Sequence, residues 1–273
     1  MKIYQARYGG VCFGVKRAIE IALDAVKDGE PVYSLGPLIH NRVAVEQLWK
    51  NGIITVDNVK SVKGKKVIIR SHGVHPKVLH ALQRKHCSII DATCPRVRRA
   101  QRYVEKLVQE GYHVIIIGEK EHPEVVGLLG YGSDQAEVYS DTMLPKKRKI
   151  GVVPQTTLDL ERFNSAIAHL LSSVLEMKIY NTICKATILR IREAKRIAKK
   201  ADMMIVIGGK NSANTTRLYE VCKELKPSYH IETVDEISDD WFEDIDSAGV
   251  TAGASTPKEQ VEEVIKYIKK NYK

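Results

Sequence analysis

The sequence predicts an α/β protein built from three similar units with mostly parallel sheets. Three observations carry that reading. A cysteine opens each unit, at Cys12, Cys94 and Cys184. A polar loop residue follows 28 positions later in every case, at His40, His122 and Ser212. Farther on, an apolar run ends in a polar turn: Val67-Ile68-Ile69-Arg70-Ser71-His72-Gly73, Gly151-Val152-Val153-Pro154-Gln155-Thr156-Thr157 and Gly249-Val250-Thr251-Ala252-Gly253-Ala254-Ser255. A repeat of this kind decides the architecture before any single element does.

The elements follow in order. Short strand-like runs precede the cysteines, at Lys2 to Ala6, Ser88 to Asp91 and Lys178 to Asn181. An amphipathic helix follows each cysteine. Val15, Ile19, Ala22, Leu23 and Val26 recur at helical spacing in the first, and Val97, Ala100, Val104, Leu107 and Val108 in the second. Buried-type strands come next, at Pro31 to Leu35, His113 to Ile117 and Met203 to Ile207. The chain ends in a helix from Lys258 to Lys270 with no strand after it. If each strand before a cysteine completes the preceding unit, Lys2–Ala6 must close the third. The expected domains are therefore residues 12–93, 94–183 and 184–273, the last completed by 1–11. Units of about 90 residues are marginal alone and gain by packing together.

Hydrophobic residues make up 44% and charged residues 28%, an ordinary globular balance that excludes a disordered chain. No apolar run approaches the roughly 18 residues of a membrane span. The first residues lack the apolar core of a secretory signal. Five widely spaced cysteines are too few and too odd for a disulfide scaffold, so the expected location is a reducing cytoplasm. The net charge of +10 favours an anionic partner.

Ligands of open parallel sheets bind beyond the carboxyl ends of the strands, where all three cysteines and the six polar turns belong. Pseudo-threefold packing would gather three thiolates, the imidazoles of His40, His72 and His122, the hydroxyls of Thr156, Ser212 and Ser255, and the carboxylate of Glu124. Three thiolates suit a soft metal or an iron–sulfur cluster. With one position left open, an iron could act on substrate as a Lewis acid, or a zinc could serve hydrolysis. Cys87 and Cys222 have no counterparts in the other units and read as small buried hydrophobes. Histidines beside small hydroxyls suggest an anion pocket in which imidazolium is favoured. Glu124 beside such an anion would have a raised pKa and could deliver protons, or it could simply favour the first turn of a helix.

At these residues the chain resembles the LytB (IspH) family of 4-hydroxy-3-methylbut-2-enyl diphosphate reductases. The matching motifs include Gly10-Val11-Cys12-Phe13-Gly14-Val15, His40-Asn41-Arg42, Ser71-His72-Gly73-Val74, Asp91-Ala92-Thr93-Cys94-Pro95, His122-Pro123-Glu124-Val125, Gln155-Thr156-Thr157, Ile183-Cys184-Lys185-Ala186-Thr187, Lys210-Asn211-Ser212-Ala213-Asn214 and Val250-Thr251-Ala252-Gly253-Ala254-Ser255. The resemblance implies a trefoil of three pseudo-threefold-related α/β domains around a central 4Fe-4S cluster held by Cys12, Cys94 and Cys184. It places the substrate diphosphate against His40, His72, His122, Ser212, Asn214 and Ser255. Thr156 and Glu124 would lie near the substrate hydroxyl, with Glu124 central to proton delivery. The implied reaction is the last step of the non-mevalonate isoprenoid route, and its electrons come from ferredoxin or flavodoxin. The chain departs from the family pattern at Ala213, where a second serine is common, and at Lys185 and Arg190-Ile191.

Two other readings compete. A zinc-dependent hydrolase would use the same cysteines. A nucleic-acid-binding protein would use Arg96-Val97-Arg98-Arg99 and Lys146-Lys147-Arg148-Lys149. Those basic runs hold no aromatic for base stacking, which favours a solvated face and no nucleic-acid partner.

Overall fold

A computed structural model describes residues 1–145 and 147–272. Lys146, the first residue of the second basic run, lies outside them. Twelve strands and nine α-helices are seen among the described residues. The chain divides into two compact units, one of Met1–Lys16, Ile39–Leu48 and Ile188–Lys273, the other of Arg17–Leu38 and Trp49–Thr187.

The first unit holds one parallel sheet. Its strands are β1 (Lys2–Gln5), β10 (Met203–Ile207), β11 (Ser228–Ile231) and β12 (Ser247–Ala252), in the order β1-β12-β10-β11. The first strand of the chain thus pairs with the last, Lys2 opposite Ser247 and Gln5 opposite Val250. Every side chain of β10 is buried because helices cover both faces, as parallel sheets require. Met203, Ile205 and Ile207 pack with Val261, Val264, Ile265 and Ile268 of α9 (Lys258–Asn271). Met204 and Val206 point the other way. They meet Ala194 and Ile197 of α7 (Lys185–Ala198), and Leu218 and Cys222 of α8 (Ala213–Lys223).

The second unit holds two parallel sheets. One is β3-β2-β4-β5, from β2 (Val32–Leu35), β3 (Ile53–Val56), β4 (Lys66–Ile69) and β5 (Ser88–Asp91). The other is β7-β6-β8-β9, from β6 (His113–Ile117), β7 (Ala136–Val138), β8 (Lys149–Pro154) and β9 (Glu176–Ile179). In the latter, Val114 and Ile116 pack with Ala100, Val104 and Leu107 of α4 (Pro95–Gln109) and with Val125 and Leu128 of α5 (Pro123–Gly132). Ile115 and Ile117 meet Phe163, Ala166 and Leu170 of α6 (Leu160–Leu171) on the other face. The remaining helices are α1 (Phe13–Ala25), α2 (Arg42–Lys50) and α3 (Pro76–Arg84).

All three sheets repeat one strand order, with the order reversing between β2 and β4, between β6 and β8, and between β10 and β12. Such a reversal opens a crevice at the carboxyl ends of the two central strands. Two details differ from the sequence expectation. The strand before Cys184 is Glu176–Ile179, not Lys178–Asn181, because pairing to β8 sets its register, Lys149 opposite Glu176 and Val152 opposite Ile179. The short edge strands β7 and β11 have little local signal and exist through their pairing with β6 and β10, whereas β3, Ile53-Ile54-Thr55-Val56, is β-branched throughout and pairs with β2.

Candidate functional site

The six loops that carry the expected site residues leave the central strands of the three sheets. His40 follows β2, His72 follows β4, His122 follows β6, Thr156 follows β8, Ser212 and Asn214 follow β10, and Ser255 follows β12. These are the loops that border the crevices.

The three cysteines share one backbone anchor. Each sits one residue before a helix, ahead of α1, α4 and α7. Each donates its N–H to the carbonyl two residues beyond a central strand. Cys12 donates to Ala254 after β12 at 3.0 Å, Cys94 to Ser71 after β4 at 2.9 Å, and Cys184 to Thr156 after β8 at 2.8 Å. The carbonyls of Cys12, Cys94 and Cys184 themselves start the new helices, accepting from the N–H of Lys16, Arg98 and Thr187 at 2.9 Å. The thiols are half-buried and in no disulfide. Cys222, in contrast, is fully buried in α8, and burial pushes its thiol up to about 12. Cys87 precedes β5 and packs at the margin of the β2–β5 core. Cys222 is buried as expected, whereas Cys87 is only partly buried because it sits at the core's edge.

In the second unit Glu124 and Thr156 form a closed pair. Glu124 stands in the first turn of α5, yet it is only 1% exposed. Its Oε1 accepts from the Thr156 N–H at 2.7 Å and its Oε2 from the Thr156 hydroxyl at 2.7 Å. Those bonds favour the carboxylate, but burial outweighs them and holds the pKa near 7. Of the two roles open to Glu124 in the sequence, the helix-turn glutamate does not need this burial; a group poised between protonation states does. His122 caps α5, its Nδ1 accepting from the Glu124 N–H at 3.1 Å. His72 meets His122 edge-on with ring centroids 5.4 Å apart.

In the first unit Ser212 caps α8, its Oγ accepting from Thr215. Asn214 lies in the first turn of that helix. Ser255 donates its hydroxyl to the His40 carbonyl at 2.9 Å. The 28-residue rule fails locally at His40. Asn41, not His40, caps α2, accepting from Ala44 at 2.9 Å.

Other buried polar residues hold the cysteine loops, and no motif in the sequence marks them. Gly10 turns the first loop with φ +99°, a conformation that a side chain would strain. Its carbonyl accepts from the buried Arg190 at 2.9 Å, and the Tyr8 N–H donates to the buried Glu193 at 2.8 Å. Arg17 donates to the Thr93 carbonyl beside Cys94 at 3.2 Å. Arg190 and Glu193 lie one turn apart on the inner face of α7; the sequence marked Arg190 only as a departure from the family pattern, and Glu193 not at all. Asp91 is committed to Thr93 and Arg98.

Three parallel sheets, each with an anchored thiol and two polar loops at its carboxyl edge, define a repeated α/β protein with ligand sites at the strand ends. The chain belongs to the LytB protein family, whose model matches residues 3–269. It is 45% identical over 271 residues to the 4-hydroxy-3-methylbut-2-enyl diphosphate reductase of Citrifermentans bemidjiense, covering 97% of this chain and 96% of that one. It is 45% identical over 275 residues to the reductase of the same name from Geotalea uraniireducens, covering 99% and 98%. Two solved structures are also similar. One is (E)-4-hydroxy-3-methyl-but-2-enyl diphosphate reductase, the terminal enzyme of the non-mevalonate pathway, at 41% identity, TM-score 0.74, and 99% and 100% coverage. The other is the E-1-hydroxy-2-methyl-but-2-enyl-4-diphosphate reductase of Plasmodium falciparum, at 27% identity, TM-score 0.90, and 98% and 87% coverage. No helix among the described residues is long and apolar enough to cross a membrane.

Proposed function

We propose that this chain reduces (E)-4-hydroxy-3-methylbut-2-enyl diphosphate to isopentenyl and dimethylallyl diphosphate in the cytoplasm. The substrate takes up two electrons and two protons, its C4–oxygen bond breaks, and the oxygen leaves as water. The observation that carries the reading is the common anchor of Cys12, Cys94 and Cys184, within a chain that matches reductases over nearly its whole length.

Three half-buried thiols at helix N-termini fit a 4Fe-4S cluster with three protein ligands. When bound, the cluster would supply the electrons and a Lewis-acidic iron for the substrate hydroxyl. The protein does the rest. His40, His72, His122, Ser212, Asn214 and Ser255 hold the diphosphate, aided by the helix N-termini that Ser212 and His122 cap. Glu124 carries a proton near neutral pH, and Thr156 fixes both of its oxygens, so the proton is presented in one direction. Domains 12–93, 94–183 and 184–273, with 1–11 completing the third, form the trefoil. Reduced ferredoxin or flavodoxin is the electron source.

The test is iron, acid-labile sulfide and zinc per chain on protein purified without air, followed by substrate turnover with reduced methyl viologen. About four iron and four sulfide with turnover is expected for a 4Fe-4S enzyme. Zinc without sulfide would overturn the reading in favour of a hydrolase. Cys12→Ser, Cys94→Ser and Cys184→Ser should each lose the iron, whereas Cys222→Ala should keep it.

A further inference from the structure

The proposed reaction needs two electrons from outside, and the first unit carries a surface suited to their delivery. Arg7, Tyr8, Leu189, Arg192, Glu193 and Arg196 line a cleft of about 360 Å³. It sits over the loop that leads to Cys12. Tyr8 and Cys12 are four positions apart in the chain, so the chain alone holds the two within about 14 Å. Tyr8 is 48% exposed at the cleft, and Phe13, next to Cys12 in the chain, is 71% exposed. Exposed aromatics beside arginines are the composition of protein docking sites, not of solvated surface.

The charge of the cleft is one-sided. Glu193 is its only acid, and it is buried, accepting from the Tyr8 N–H and lying 3.6 Å from Arg196. Arg7 and Arg192 are exposed. The same stripe of α7 continues through exposed Arg196 to exposed Lys199, at one-turn spacings. Arg7, Arg192, Arg196 and Lys199, four exposed cations with no exposed acid among the cleft-lining residues, complement an acidic protein.

We propose that this cleft docks the reduced electron carrier, an acidic ferredoxin, against the Cys12 loop. The inference rests on the reductase reading and names the partner of that site. Each encounter oxidises one ferredoxin by one electron, and two encounters supply the pair that the substrate takes up. Arg190 and Glu193 hold the underlying loop rigid, so the carrier meets a fixed surface, which lowers the cost of docking.

The experiment compares the anaerobically purified holoprotein with its Arg7→Glu/Arg192→Glu variant. Arg196 is left in place because it faces buried Glu193. Binding of an acidic plant-type ferredoxin is measured by calorimetry at two salt concentrations, and turnover is driven either by that ferredoxin or by reduced methyl viologen. The variant should bind ferredoxin at least about tenfold more weakly at low salt, with a smaller salt dependence. Its KM for ferredoxin should rise, while iron content, melting temperature and viologen-driven turnover stay as in the parent. Unchanged ferredoxin affinity overturns the docking site. Oligonucleotide binding that exceeds ferredoxin binding and falls with the same two substitutions also overturns it. A parent that is idle with viologen and substrate would instead strike at the reductase reading. Arg192→Gln alone, which introduces no like charge, should weaken ferredoxin binding by a smaller factor, and no change there counts against the site.

Discussion

Glu124 shows at the scale of one residue how burial and hydrogen bonding compete. Two bonds from Thr156 pull its pKa down, and removal from water pushes it further up, to about 7. A group raised in this way contributes to folding fully below its ordinary value of 4.5, and that contribution is lost as the pH rises through about 7. Glu124→Gln keeps an acceptor for the Thr156 N–H and removes the charge. The variant should therefore melt near the parent's temperature at about pH 4 and above it at about pH 8. Its turnover should fall by roughly a hundredfold with iron content unchanged. In the parent, turnover should decline as pH rises above about 7, and a pH profile that is flat from 6 to 9 would exclude Glu124 as the proton source. The sequence identified Glu124 as a candidate because it follows His122-Pro123 in a repeated loop. The resemblance set Thr156 near the same substrate group, but the direct bonds between the two, 32 residues apart, come from the fold.

At the scale of elements, helices position the site by what they touch. Helix α7 begins just after Cys184 and, a little over two turns in, offers Glu193 to the Tyr8 N–H. Glu193→Leu leaves that N–H without an acceptor and should cost about 1–3 kcal/mol, with less iron retained after reconstitution. Glu193→Gln keeps an acceptor and should retain the parent's iron. Helix α5 shows the opposite constraint. Alanine is ordinarily favoured over glycine within a helix by about 1 kcal/mol. At Gly130, however, a Cβ would lie 2.6 Å from the His75 ring and from Pro76 Cδ at the start of α3. Overpacking of that kind costs about 1–3 kcal/mol, so Gly130→Ala should lower the melting temperature despite its better propensity. The sequence offered the start of α5 only as a helix whose first turn would favour Glu124. The need for a bare backbone at one turn was not legible, because the neighbour comes from another helix.

At the scale of the whole molecule, the sheet of the first unit joins the two ends of the chain. Strand β1 pairs along its full length with β12, and the Lys2 N–H donates to the Asp246 carbonyl at 2.8 Å. This sheet cannot be completed until the last strand is available, which makes it the slow, non-local part of the fold. Removing residues 1–5 would leave one edge of β12 unpaired, and an unpaired apolar edge templates association. The truncated chain should aggregate on heating at concentrations where the parent melts reversibly, as light scattering through the transition would show. A truncated chain that melts like the parent would mean that β1 adds little.

The sequence by itself determined the threefold repeat, the α/β class, the strand–cysteine–helix punctuation and the list of polar strand ends. Those features are local: spacing, apolar runs and residue type record them directly. Tertiary structure decided the rest. It placed β9 two residues early through pairing with β8, made Asn41 rather than His40 the cap of α2, and created the edge strands β7 and β11. It joined Glu124 to Thr156, and Arg190 and Glu193 to the Cys12 loop. Each of these is a contact between residues far apart in sequence, and a buried polar group takes its partner from whichever strand end or helix the fold brings beside it.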